Sequence, residues 1–152
     1  MPRPLAWLSA TLAAVPAALW INRHEGIIGR HGRPLHPAEE RFARSVGVVL
    51  PKQVRVLAQP RIPAPLGGWL GFLETRTGFS LADAAGVTLG YGIYLNARAE
   101  CPALVHHELV HVAQYERLGG SLPFIWRYFY ECLAFGYHGS PLEREAVERS
   151  KD

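Results

Sequence analysis

The chain has 152 residues, 49% of them hydrophobic and 19% charged, with a formal net charge of +3. That length suits one domain with a core of ordinary size, and the apolar share is too high for a disordered chain. No collagen-like period, heptad array or long repeat is visible, and the arginines are scattered rather than massed among aromatics, so fibrous, solenoid and nucleic-acid-binding classes are excluded as readings.

Residues 5–21 (LAWLSATLAAVPAALWI) carry no charge and follow Arg3. A cleaved signal, a membrane anchor and a helix packed on the domain all fit this run. Leu5, Leu8, Leu12, Val15 and Leu19 recur at helical steps with alanines between them, which gives the packed helix a large-residue and a small-residue side. Arg23 to Pro37, rich in Gly, Arg and His, reads as a linker. The predicted organisation is therefore an apolar helix and linker over 1–36 and a domain over 37–152, with membrane association through residues 5–21 as an expected partner surface.

Pro37 to Val46 reads as a short helix, with Glu39 and Glu40 favourably placed in its first turn. Lys52 to Ala58 alternates Val54 and Val56 with polar residues and reads as a strand, and Gln59 to Gly71 as a Pro/Gly-punctuated loop. From Val87 to Asn96 a period of two returns, as a strand or hairpin. Val87, Leu89, Tyr91, Ile93 and Leu95 form one face, and the other is left nearly bare by Gly90 and Gly92. Helices follow over Pro102–Leu118, ended by Gly119-Gly120, over Pro123–Phe135, ended by Gly136, and from Ser140-Pro141 towards Ser150. Across such a hairpin of helices, Cys101 and Cys132 are offset by roughly 9 Å, too far for a disulfide. Two cysteines are no disulfide scaffold, and the compartment is left between cytoplasm and membrane, with secretion less favoured.

The first of these helices contains His107-Glu108-Leu109-Val110-His111, the HExxH pattern. Residues i and i+4 share a helix face, so both imidazoles can address one metal ion, while Glu108, displaced around the helix, reaches the water that the metal activates. Random placement of the histidines and glutamates would yield the pattern in roughly one such chain in forty, so two core histidines remain an alternative. A catalytic zinc usually takes a third protein ligand. The candidates are His138, Glu143, Glu145 and, more remotely, His106. Glu143 and Glu145 point in nearly opposite directions, and Glu143, on the face of Ala146 and Val147, is the inward one. Ser140 followed by Glu143 also fits a capping box, a competing role for the same carboxylate.

His107-Glu108-Leu109-Val110-His111 with the downstream Glu143-Arg144-Glu145-Ala146 resembles the gluzincin branch of zinc metallopeptidases. The strings HHELVHVAQYERLGG and GYHGSPLEREA are similar to small bacterial metallopeptidases of unassigned substrate. The resemblance covers about residues 88–147. It implies one Zn2+ per chain on His107, His111 and Glu143, with Glu108 as general base. It also implies an edge strand before the HExxH helix that pairs with an extended peptide, here placed at residues 88–96. Many relatives carry Asp where this chain has Val147, so the residue that orients a ligand histidine is not given by the match.

Tyr137, His138 and Tyr94 are candidates for stabilising the transition state, and Glu131, paired with Arg127 at i, i+4, for supporting a metal ligand. Phe124, Trp126, Tyr128, Phe129 and Tyr130 read as core or membrane-facing bulk. The expected fold class is α+β and zincin-like, with a small antiparallel sheet, the HExxH helix and further C-terminal helices. The expected function is a zinc-dependent metallohydrolase, a peptidase acting on a peptide or protein substrate. The rivals are a metal-stabilised binding module with a degenerate zincin site and a metal-free membrane-associated accessory protein.

Overall fold

The computed structural model describes residues 1–65, 74–81 and 83–151. The order of elements is α1 (Arg3–His31), β1 (Arg33–Pro34), α2 (Pro37–Ser45), a 3₁₀ turn (Pro51–Gln53), β2 (Arg55–Gln59), β3 (Gly86–Leu89), β4 (Gly92–Asn96), α3 (Pro102–Leu118), α4 (Ser121–Phe135) and α5 (Pro141–Arg149). The class is α+β. Of the expected loop over 59–71, residues 66–71 lie outside the described residues.

The segment read as a linker is helix as far as His31, where Arg30 and His31 complement the negative end of the dipole. Its two glycines, Gly26 and Gly29, weaken helix propensity, but tertiary packing outweighs them: Ile28 is fully buried against the sheet. The apolar faces of α1 are also the reverse of what residue size suggests. Ala6, Ala10, Ala13, Ala14 and Ala17 are buried, while Leu5, Leu8, Leu12, Val15 and Leu19 point outward, Leu12 being 72% exposed. Small residues let the α1 axis lie close to α4, its main packing partner. By length and composition α1 is also long and apolar enough to cross a membrane.

The four-stranded sheet runs β1-β2-β4-β3 and is mixed, not antiparallel as expected: β2 and β4 pair in parallel, while the other two pairs are antiparallel. A parallel pair needs a long crossover, and the stretch between β2 and β3 supplies it. β3 and β4 form a hairpin turned at Gly90-Tyr91, with Leu89 opposite Gly92 and Gly90 in the left-handed region at φ 68°. That turn splits the single apolar face expected over 87–95. Ile93 and Leu95 join Val56, Leu109, Val110 and Ala146 on the α3 side, and Leu89 and Tyr94 join Ile21, Ile28 and Ile125 on the α1–α4 side. The sheet is thus covered on both faces. The bare position at Gly92 serves α1, since a Cβ there would lie 2.8 Å from the Ile28 Cδ1. What stays open is an edge: no described strand pairs with the outer side of β3.

Helices α3 and α5 are tied by Glu145, which accepts from both Arg117 nitrogens at 2.8 and 2.9 Å, from Arg149 at 3.2 Å and from Gln114 at 3.0 Å. The Arg117 hydrogen bonds pull the Glu145 carboxyl down to about 2. A carboxyl depressed on folding stabilises the fold above its ordinary pKa and loses that contribution as pH falls towards the folded value. Arg117→Ala should therefore cost about 1 kcal/mol at pH 6. Urea unfolding of the metal-free chain should show this gap close as pH falls from about 4.5 towards 2. A gap that persists at low pH would show the contribution is not ionic.

Candidate metal centre

Helix α3 begins with Pro102 in its first turn and is closed by Gly119 at φ 95°. It presents His107 and His111 one turn apart, with Nε2 atoms 3.1 Å from one another. Glu143, in the first turn of α5, brings its carboxylate between them: Oε1 lies 3.2 Å from the His111 Nε2 and Oε2 3.4 Å from the His107 Nε2. One ligand atom from each of the three residues falls within 4.8 Å of the others. Two imidazoles and a carboxylate, converging and nearly buried, form a donor set that fits a divalent ion such as zinc.

Ser140 caps α5, its Oγ accepting from the Glu143 amide at 3.4 Å. The reciprocal half of a capping box is missing, because the Ser140 amide donates to the Tyr137 carbonyl instead. The Glu143 side chain is thereby left for the histidines. Burial alone would raise the Glu143 carboxyl, but its contacts with His107 and His111 hold it well below the usual carboxylate range. Burial would likewise lower His111, yet Glu143 lifts it to about 9 in the metal-free chain, so metal uptake must displace a proton.

Glu108 is 4% exposed and sits under β3, where Thr88 Oγ1 donates to its Oε2 at 2.7 Å. Burial pushes its carboxyl up. Gly86 makes this fit possible, since a Cβ there would lie 2.8 Å from Glu108 Oε1. The strand passes so close over the carboxylate that a side chain here would force Glu108 or Leu95 to shift.

Three residues of the site escaped the sequence reading. Gln114, fully buried, faces the His111 Nδ1 through Oε1 at 2.8 Å. Its Nε2 donates to the Leu142 carbonyl and to Glu145, which leaves Oε1 as an acceptor and makes Nδ1 the protonated nitrogen of a neutral His111. The Nε2 lone pair is then directed at the site. The signal was a buried amide one turn beyond the second histidine, on the same face. Tyr128, read as bulk, donates to Glu143 Oε1 at 2.6 Å. Thr88, read only as part of a strand face, holds the Glu108 carboxylate.

The other expected residues separate. Tyr137 packs on Phe79 near the Glu143 carboxylate; burial keeps its phenol protonated far above neutrality. His138 is exposed and outside the triad, so it is not the third candidate ligand. His106 stacks on Phe42 at 3.8 Å, away from the site. Tyr94 is drawn to the α1 side of the sheet, its hydroxyl 2.9 Å from the His24 Nδ1. Val147, expected to face inward with Glu143, is 48% exposed, whereas Ala146 is fully buried. Glu131 does support the site, but through α5 rather than through a histidine: it accepts from Arg127, from Ser140 Oγ at 3.0 Å and from the Leu142 amide at 2.9 Å. Cys101 and Cys132 are free thiols.

Searches against protein-family models, curated proteins and solved structures found no match to this chain.

Proposed function

We propose that the chain is a zincin-like, zinc-dependent metallohydrolase that cleaves peptide bonds. The observation that carries this reading is the convergence of His107, His111 and Glu143 beside the buried carboxylate of Glu108, beneath a strand whose outer edge pairs with no described strand.

A zinc ion in this donor set would polarise the scissile carbonyl and make a water molecule acidic near neutral pH. The chain's own groups account for the rest. As water adds to the carbonyl carbon, the Glu108 carboxylate accepts its proton. Glu108 returns that proton to the amide nitrogen as the C–N bond breaks, and a carboxylic acid and an amine are formed, the acid then passing its proton to solvent as it leaves as a carboxylate. Thr88 fixes the carboxylate by donating to Oε2, leaving Oε1 for the proton. Tyr137 remains a phenol, able to donate to the oxygen that becomes negative. The outer edge of β3 is suited to hold a substrate in extended form by backbone pairing. Gln114 positions His111, and Tyr128 and Glu131 position Glu143.

The test is turnover by the zinc-loaded chain on a pool of unstructured peptides. Cleavage that stops with a chelator and returns with zinc is the expected result. A folded, loaded chain that leaves every peptide intact would favour the metal-stabilised binding module instead.

A further inference from the structure

The triad lies between two spaces of different kind. One is an open cleft of about 720 Å³ along Ala84–Gly86 and the start of α3; the other is a cavity of about 110 Å³ reaching inward to α1. Phe79, Gly86, His107, Glu108 and Tyr137 line both. The inner cavity is walled chiefly by apolar side chains from three elements: Ala17 and Ile21 of α1, Leu89 of β3, and Ile125 and Phe129 of α4.

The three carboxylates that reach this cavity are already engaged. Glu108 is held by Thr88, Glu143 lies against the histidines and Tyr128, and Glu74 accepts from the Leu81 amide. No buried side-chain nitrogen or oxygen among the described residues lacks a partner. Beyond Glu108 and Tyr137, where the two spaces meet, the apolar walls offer an occupant no hydrogen bond, so a polar or charged group there would lose its hydration uncompensated. Size narrows the occupant further. Complete small-molecule sites run to ~300 Å³ or more, whereas an apolar cavity of ~150 Å³ takes a molecule the size of benzene.

Building on the peptidase reading, we infer that this cavity receives a single apolar side chain of the substrate, of the size of leucine or phenylalanine, and that Ala17 and Ile21 of the N-terminal helix set its depth. The substrate backbone occupies the open cleft along β3, and the side chain next to the scissile bond turns inward past the triad. Helix α1 is then a specificity wall of the site and not an appendage to it.

Two binding measurements on the full chain test this without turnover. In the metal-free protein, benzene should shift the methyl resonances of Ile21 and Ile125. Ala17→Leu, which fills the cavity, should weaken that binding at least tenfold, and Ile125→Ala, which enlarges it, should preserve binding if the first variant does not fold. Absence of binding to the wild type, or equal binding by Ala17→Leu, overturns the inference. In the zinc-loaded Glu108→Gln protein, leucine hydroxamate should bind about tenfold or more tightly than glycine hydroxamate, and Ala17→Leu should abolish that preference. Equal affinities would overturn the apolar pocket while leaving the metal centre standing. Failure to take up zinc would sink the metal centre and leave the benzene result to decide the cavity.

Discussion

Replacing Glu108 with Gln should lower peptide hydrolysis by roughly 10²–10⁴-fold with no loss of bound zinc. The amide is isosteric and keeps an oxygen for the Thr88 hydroxyl, which lies 2.7 Å from the carboxylate in the wild type. It lacks the basicity to accept a proton from water. Because Glu108 is outside the ligand trio, metal content should not follow activity. The variant should also be at least as stable as the wild type, since it removes a carboxyl that burial already pushes towards its neutral form. Turnover, zinc content and urea unfolding on one preparation separate the roles. Unchanged turnover would remove Glu108 from the chemistry, and lost zinc would make it a ligand.

Glu131→Ala should be the most damaging change outside the trio. Glu131 is 1% exposed and accepts from Arg127, the Ser140 hydroxyl and the Leu142 amide. Truncation strands the hydroxyl and the amide in a buried setting and leaves a void, at a cost of about 3 kcal/mol. Both stranded groups lie at the start of α5, within three residues of Glu143, so the candidate ligand loses its anchor as well. Zinc affinity should fall by about tenfold or more. Glu131→Gln, which keeps one acceptor oxygen, should recover part of both losses. Urea unfolding of the metal-free chain and a competitive zinc titration measure the two effects. A stability change below about 0.5 kcal/mol would contradict the anchoring role.

Much of the helical half was legible because its signals are local. Pro102 and Gly119 bracket α3, Ser140-Pro141 opens α5, and the i, i+4 spacing of His107 and His111 needs only a helix to bring them together. Glu143 could be read as inward from the helical period, but whether it caps α5 or meets the histidines depends on where its carboxylate points, which no spacing encodes. Long-range features were hidden. The parallel pairing of β2 with β4 follows from a crossover whose course is not written in either strand. In residues 5–21 of α1, which carry no charge, periodicity says that two faces differ but not which one is buried; the alanine face wins because α4 lies so close. Gln114 and Tyr128 were missed for a related reason. An amide or a phenol in an apolar helix looks like filler until its partners on α5 are known, Leu142 and Glu145 for Gln114 and Glu143 for Tyr128.

Zinc binding by the wild type and by His111→Ala and Glu143→Ala is the most direct test of the metal centre. Elemental analysis and a competitive titration on folded protein should give about one zinc per wild-type chain and a loss in both variants. A folded wild type that binds no zinc, or two variants that bind it as the wild type does, would contradict the centre and leave a half-buried His107 and a buried His111 tied to a carboxylate as a structural feature of α3 and α5.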